Sequence, residues 1–167
     1  DAEVMGAELE VTYYASEAWN FNLGVSLLDS EYTDLTFFDQ FSAQTLDLEG
    51  EELIRSPAYT MNFGAEWILP VDNSLLEDVR IRGDLYHSDD FKLAFADYAA
   101  TKQDSYTTAN MSVILTGKSA NFQVRGYVNN LTDEEVVNNG SYLASLGAFI
   151  GQYSEPRTYG VSLSYNF

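Results

Sequence analysis

The chain has 167 residues, of which 46% are hydrophobic and 14% aromatic; it has no cysteine, and its net charge is −18 at pH 7. This composition excludes a disordered polypeptide, a disulfide framework and a thiolate metal site, and so acidic a chain does not suit binding to nucleic acid. No apolar run approaches the roughly 20 residues of a membrane-spanning helix, and the first residues lack the apolar segment of a signal peptide.

Large apolar residues alternate with small or polar ones in seven segments, a pattern that is typical of β-strands with two different faces. Several of these segments span about 9–11 residues, the length of a tilted strand that crosses a membrane. The last segment alternates up to its final aromatic residue. The seven predicted strands cover residues 7–14, 19–27, 59–69, 79–86, 106–115, 122–129 and 158–167.

Short and long connections alternate strictly between the predicted strands. The short ones are "ASEA", "PVDNSLLEDV" and "TGKSAN", whereas the long ones cover roughly residues 28–56, 87–105 and 130–157. Transmembrane β-barrels have short periplasmic turns and longer extracellular loops. The sequence therefore predicts an all-β fold, an antiparallel transmembrane β-barrel meander of about seven strands. A soluble β-sandwich shares the alternation of residues but does not account for the loop lengths.

If the short turns are periplasmic, the apolar face carries aromatic residues near both membrane surfaces, as outer-membrane barrels do. Those expected near the periplasmic end are Tyr13, Trp19, Trp67, Phe122 and Tyr165, and those expected near the upper end are Tyr59 and Tyr159.

The polar face of the strands would line the barrel lumen. Its charged residues are Glu8, Glu10, Glu66, Arg80, Arg82, Asp84 and Arg125. Two interpretations of Glu66, Arg80, Arg82 and Arg125 stay open. They contact material inside the lumen, or they form a charge ladder in which Glu66 faces Arg80 or Arg82 across neighbouring strands.

Two motifs near the C-terminus point to a family. "YVNNLTDEE" (127–135) is followed about twenty residues later by "YSEPRTYGVSLSYNF" (153–167), and "GEELIRSPAYTMNFGAEW" (50–67) precedes them. Together they resemble the C-terminal part of the β-barrel of a TonB-dependent outer-membrane receptor. The motif residues are Asn130, Leu131, Thr132, Asp133, Pro156, Arg157 and Gly160.

The resemblance implies a multi-pass barrel in the bacterial outer membrane, of the roughly 22-stranded type with a plugged lumen. Residues 1–167 would be the C-terminal portion of that barrel, without the plug domain and the N-terminal strands. The implied function is TonB-coupled uptake of a scarce nutrient, with siderophore, cobalamin and glycan all open. The implied partners are outer-membrane lipid, the TonB complex through the missing plug, the barrel-assembly machinery and an unknown nutrient ligand, with no nucleic acid.

The same resemblance implies that the last strand is read by the assembly machinery. The assembly signal would comprise Tyr159, Val161, Leu163, Tyr165 and Phe167. In this interpretation the lumenal charges contact the plug or a passing ligand.

Two alternatives remain to be distinguished by structure. A complete eight-stranded barrel needs an additional strand around residues 142–153, and a passive porin or adhesin barrel would share the strand pattern. We expect no enzyme activity and no cofactor, because His87 near Asp89 and Asp90 is the only candidate acid–base group and is better interpreted as a solvated loop residue.

The first long loop combines acidic and aromatic residues. Oxygen ligands suit Ca²⁺, but the loop has no EF-hand spacing, so solvated charge is the favoured interpretation and no metal is expected. Its acidic residues are Asp29, Glu31, Asp34, Asp39, Asp47, Glu49, Glu51 and Glu52, opposed only by Arg55. Its aromatic residues Tyr32, Phe37, Phe38 and Phe41 either stack on a ligand or pack the loop.

Overall fold

The computed structural model describes residues 1–71, 74–118, 121–143 and 146–166. In this part of the chain nearly all regular structure is strand, with one 3₁₀ helix at Ala99–Thr101. No helix among the described residues is long and apolar enough to cross a membrane. The strands are β1 (Ala2–Tyr14), β2 (Trp19–Tyr32), β3 (Thr36–Asp39), β4 (Gln44–Asp47), β5 (Tyr59–Pro70), β6 (Leu76–Ser88), β7 (Phe91–Lys92), β8 (Lys102–Gln103), β9 (Tyr106–Gly117), β10 (Phe122–Asn129), β11 (Val137–Leu143), β12 (Ala148–Tyr153) and β13 (Thr158–Tyr165).

One seven-stranded antiparallel sheet forms the body of the structure. Its order is β1-β2-β5-β6-β9-β10-β13, so each strand pairs with its neighbours along the chain once the loop strands are set aside. This confirms the predicted all-β meander. Among the described residues the sheet is open, with β1 and β13 at its two edges.

The register of the sheet aligns the apolar residues of all seven strands on one face. Side chains alternate between faces along a strand, so residues paired directly across strands share a face. Successive apolar partners therefore make one continuous surface. Two of its rows are Leu23, Phe63 and Leu85, and Leu115, Val124 and Leu163.

Few apolar side chains are buried on either face of this sheet. Most of the buried apolar side chains lie in the long connections. Leu48, Leu93, Ala96 and Val136 are buried, and all four belong to the long connections. On the sheet, Val161 and Leu163 are 78% and 71% exposed. A surface of this kind is stable only against another apolar phase, as expected for a wall that faces hydrocarbon.

Several strands extend beyond their predicted ends, on the side of the long loops. β1 begins at Ala2 and β2 continues to Tyr32, and Glu3 pairs directly with Glu31. The apolar alternation stops before these residues, although backbone pairing continues. The period-two pattern therefore marked the part of these strands whose two faces differ, rather than their full length.

Each long connection contains a small β-hairpin that the sequence did not predict. β3 pairs with β4, β7 with β8 and β11 with β12, each as a separate two-stranded sheet. The strand at Ala148–Tyr153 lies where the eight-stranded alternative required one, but it pairs with Val137–Leu143 and not with the main sheet. That alternative is therefore wrong for this structure.

Candidate functional site

Aromatic rings cluster on the apolar face at the end of the sheet with the short turns. Trp19 stacks on Trp67, with ring centroids 5.5 Å apart, and on Phe21 at 5.7 Å. Tyr13 lies opposite Phe21, and Phe122 lies opposite Tyr165. The predicted placement of these aromatic residues at one end of the sheet is therefore correct.

His87 lies on the apolar face at the other end of the sheet, within β6. The Nε2 atom is 3.2 Å from the Tyr59 hydroxyl, and Nδ1 is 2.8 Å from the Thr107 hydroxyl. It is therefore not a loop residue, and the carboxylates of Asp89 and Asp90 are not its hydrogen-bond partners. Asp90 instead pairs with Lys102 at 3.3 Å. These contacts tie β6 to its two neighbouring strands and do not form an acid–base pair.

The lumenal charges follow the predicted register, and the arginines among them form ion pairs within their own strand. Glu66 lies directly opposite Arg82, yet the Arg82 guanidinium forks onto Asp84, and that of Arg80 forks onto Asp78. Residues two apart on a strand share a face, so a long arginine side chain can bend along its own strand to form a bidentate pair. The predicted register, with Glu66 facing Arg82, is therefore confirmed, whereas the hydrogen-bonded ion pairs of both arginines form along β6 itself.

The two remaining members of the lumenal group have other contacts. The Glu66 carboxylate accepts a hydrogen bond from the Asn20 amide at 3.2 Å. The Arg125 guanidinium carbon lies 5.3 Å from the centre of the Tyr127 ring, within the range of a cation–π contact.

The two C-terminal motifs contact each other directly. The Arg157 guanidinium pairs with the Asp133 carboxylate at 3.1 Å, and the Arg157 amide donates to the same carboxylate at 3.2 Å. Asn130 is 8% exposed; its amide group donates to the Glu134 carbonyl and accepts from the Glu134 amide. Both Asn130 and Asp133 have a positive φ, of 50° and 57°. Residues 130–134 of the first motif therefore form a tight turn, and Arg157 of the second motif binds to it. Together the two motifs close the base of the third long loop.

The other motif residues border this turn. The Leu131 amide donates to the Ala109 carbonyl, and the Thr132 hydroxyl to the Asn130 side chain. Pro156 precedes Arg157, and Gly160 lies directly opposite Tyr127. A Cβ atom at position 160 would lie 2.5 Å from the Tyr127 hydroxyl, so glycine here leaves room for the tyrosine ring on the lumenal face.

The predicted assembly residues Tyr159, Val161, Leu163 and Tyr165 all lie on the apolar face of β13. They pair with Val128, Gly126, Val124 and Phe122 of β10. Phe167 lies outside the described residues.

The three long loops meet in an aromatic cluster. Phe41, Tyr98, Tyr142 and Phe149 contact one another with centroids 5.0 to 5.3 Å apart. Tyr32 and Phe37 both contact Phe95. Three of the four aromatic residues singled out in the first loop therefore pack the loops, whereas Phe38 is 57% exposed. Their partners in the other two loops were missed, because nothing local in those loops indicates a shared cluster.

Asp39 fixes this cluster from the first loop. Its carboxylate accepts hydrogen bonds from the Tyr98 hydroxyl and from the backbone amides of Phe41 and Ser42. Hydrogen bonds from the Ser42 and Tyr98 side chains lower the pKa of Asp39 from 3.8 to about 2. The hydrogen bond between Tyr98 and Asp39 also raises the pKa of Tyr98. Because the pKa of Asp39 is lowered by folding, its contribution to stability is present above pH 3.8 and is lost as the pH falls through about 2.

The acidic loops do not assemble a metal centre in the described part of the chain. Among residues 1–71, 74–118, 121–143 and 146–166, no group of three or more histidine or acidic side chains is arranged to hold an ion.

A family model decides what kind of sheet this is. The family described as "TonB dependent receptor-like, beta-barrel" matches residues 1–131. The chain belongs to this family. No curated protein matches the sequence.

Three solved receptor structures have the same fold. The ferric yersiniabactin uptake receptor FyuA from Yersinia pestis superposes with a TM-score of 0.80 over 99% of this chain, at 17% sequence identity. The siderophore receptor PiuA from Acinetobacter baumannii gives 0.74 over 97% at 18% identity, and BauA, the ferric preacinetobactin receptor of the same organism, gives 0.72 over 99% at 18%. The chain spans 24%, 21% and 22% of these three proteins.

The family resemblance drawn from the C-terminal motifs is thereby confirmed, and so is the fold class. The sheet is part of a β-barrel of the TonB-dependent receptor family. The family match ends at residue 131, just after the first motif begins. Beyond the matched residues, the contact of Arg157 with Asp133 precedes β13, which pairs with β10 and continues the same sheet.

Proposed function

We propose that this chain is the C-terminal portion of the barrel of an outer-membrane receptor that takes up a scarce nutrient by TonB-coupled active transport. The family match over residues 1–131 carries the proposal. In this role the chain supplies barrel wall and extracellular loops and catalyses no reaction. The plug domain and the remaining strands would be supplied by the rest of the receptor.

Among siderophore, cobalamin and glycan, we favour a ferric siderophore as the ligand. Three structures of similar fold are named as receptors for ferric yersiniabactin, a siderophore and ferric preacinetobactin. The loop aromatics agree with this preference, since rings can contact the organic part of a chelate. The ligand would bind at the outer loops and the plug, and the plug would engage the TonB complex to draw on the proton-motive force.

The lumenal side chains have a place in this mechanism. Glu66, Arg80, Arg82 and Arg125 face the side of the sheet that would enclose the plug. We propose that they contact the plug or the passing ligand, Arg125 most directly, because no described carboxylate pairs with it.

Energy-coupled uptake is testable in cells that produce the full-length receptor. We expect radiolabelled iron, supplied as a panel of ferric siderophores, to accumulate in cells with TonB and to fall to background in cells without it. An inactive variant of the receptor and a proton-gradient uncoupler serve as controls.

Two results would oppose the proposal in different ways. Uptake that is equal with and without TonB would indicate a passive porin. TonB-dependent uptake of cobalamin or a glycan, but of no siderophore, would keep the transport class and overturn the ligand class.

A further inference from the structure

A cavity of about 480 Å³ lies where the three long loops meet. Its size is within the range of small-molecule sites, which is about 300–1,000 Å³. Aromatic and aliphatic side chains form most of its wall, including Phe37, Leu93, Phe95, Tyr98 and Phe149. The first loop is joined to the second through Asp39 and Tyr98, so the cavity is built by contacts that cross between loops.

Among the described residues that line this cavity, Arg55 is the one basic residue. Its backbone amide donates to the Lys92 carbonyl at 2.8 Å, and its guanidinium donates to the Asn139 side chain at 3.0 Å. Its φ is 58°, a left-handed conformation that is uncommon for a residue with a side chain. Strain of this kind persists where surrounding contacts hold it, and it concentrates at ligand-binding sites.

The charge balance of the loops sets Arg55 apart. Lys92 pairs with Glu51, Lys102 with Asp90 and Arg157 with Asp133. No described carboxylate lies within ion-pair distance of Arg55, although the loops are rich in acid. Arg55 is exposed, and among the described residues one of its five guanidinium N–H groups has a protein partner.

Asp39 also lines the cavity, but its carboxylate, unlike the guanidinium of Arg55, has several hydrogen-bond partners within the protein. It is 3% exposed and accepts three hydrogen bonds from its own and the second loop. The charge that the cavity leaves open to a ligand is therefore positive, within a wall that is mainly aromatic and aliphatic.

We propose that this cavity binds a planar aromatic group that carries a carboxylate, with the rings against the aromatic wall and the carboxylate on Arg55. A carboxylate matches the bidentate fork of a guanidinium. The assignment rests on the proposed function only in placing the loops on the outer surface, and it names the part of the ligand that they recognise.

The test uses the full-length receptor in detergent and three probes of similar shape. They are naphthalene carboxylate, uncharged naphthalenemethanol and cationic naphthylmethylamine, and their dissociation constants are measured by saturation-transfer NMR. We expect the wild-type receptor to prefer the carboxylate. Arg55→Gln should weaken carboxylate binding by about tenfold or more, the value of one hydrogen-bonded charge, and leave the alcohol unchanged.

Lys102→Gln is the matched control, because it removes a loop cation that is already paired with Asp90. It should leave binding of all three probes unchanged. Retained binding of the alcohol to the Arg55→Gln variant shows that the cavity is still formed. Arg55→Lys should recover only part of the carboxylate preference, since lysine lacks the planar fork.

Three results would overturn the inference: no binding of any probe to the wild type, equal binding of the alcohol and the carboxylate, or equal losses in the Arg55 and Lys102 variants. None of them bears on TonB-dependent uptake, which the transport experiment measures separately. Failure of that experiment would in turn leave the probe preferences intact.

Discussion

Deletion of Phe167, or the substitution Phe167→Ser, is expected to lower sharply the fraction of folded, membrane-inserted receptor in cells. In the sequence, Phe167 continues the apolar alternation that Tyr159, Val161, Leu163 and Tyr165 carry in β13. We propose that assembly machinery reads this segment. A factor that recognises its aromatic residue would fail with the variant even if the barrel itself remained stable.

The comparison with refolding separates recognition from stability. Burying one phenylalanine side chain is worth about 1.5–3 kcal/mol, which a large closed barrel should tolerate losing. The same variant should therefore refold from urea into detergent almost as well as the wild type, as judged by heat-modifiable gel mobility. Equal losses in cells and in detergent would contradict the recognition role and leave only a packing role.

Asn130→Ala is expected to destabilise the turn that joins the two C-terminal motifs by about 2–4 kcal/mol. The substitution removes the side-chain partner of the half-buried Glu134 amide and of the Glu134 and Glu155 carbonyls, at about 1–3 kcal/mol for each group left unsatisfied. It also places alanine at a φ of 50°, which asparagine tolerates better. Hydrogen exchange of the Leu131, Glu134 and Ser154 amides in the refolded receptor measures the loss of protection.

Two other variants make the result specific. Asn130→Gly fits the backbone but lacks the side chain, so it should recover only part of the protection. Asn138 lies in the same loop, is exposed, and accepts one hydrogen bond from Ser154. If Asn138→Ala loosened the loop as much as Asn130→Ala, the buried side chain of Asn130 would not be what holds the turn.

The main sheet was predictable because lipid and lumen impose opposite demands on alternate residues. The outer ends of β1 and β2 escaped prediction because the alternation breaks there, with Glu3 opposite Glu31 in the register of the apolar face. The three loop hairpins escaped because their short strands carry no sustained alternation. β12 was anticipated only as a member of the main sheet, where it does not lie.

At the candidate sites, too, the sequence indicated individual residues but not the contacts between distant parts of the chain. The motif residues Asn130, Asp133 and Arg157 were identified by resemblance, and their joint turn became visible only when the distances were known. The register that places Glu66 opposite Arg82 followed from the sequence. The ion pairs of Arg80 with Asp78 and of Arg82 with Asp84 did not, because a strand pattern does not fix the direction in which a long side chain bends. The cavity at Arg55 depends on contacts among three loops distant in sequence, and no local pattern in any one of them indicates it.

A barrel wall has one face in lipid and the other in the lumen, and the seven-stranded sheet should show this difference in native outer membranes. Single cysteines placed in the full-length receptor test it, and residues 1–167 contain no cysteine of their own that would take up the label. Positions Leu23, Phe63 and Val161 lie on the apolar face, and Asn22, Asn62 and Ser162 lie beside them on the other. We predict that a lipid-soluble thiol reagent labels the first set and that a water-soluble reagent labels only the second. Equal labelling of both sets by the water-soluble reagent would contradict a membrane wall and indicate a sheet with water on both sides.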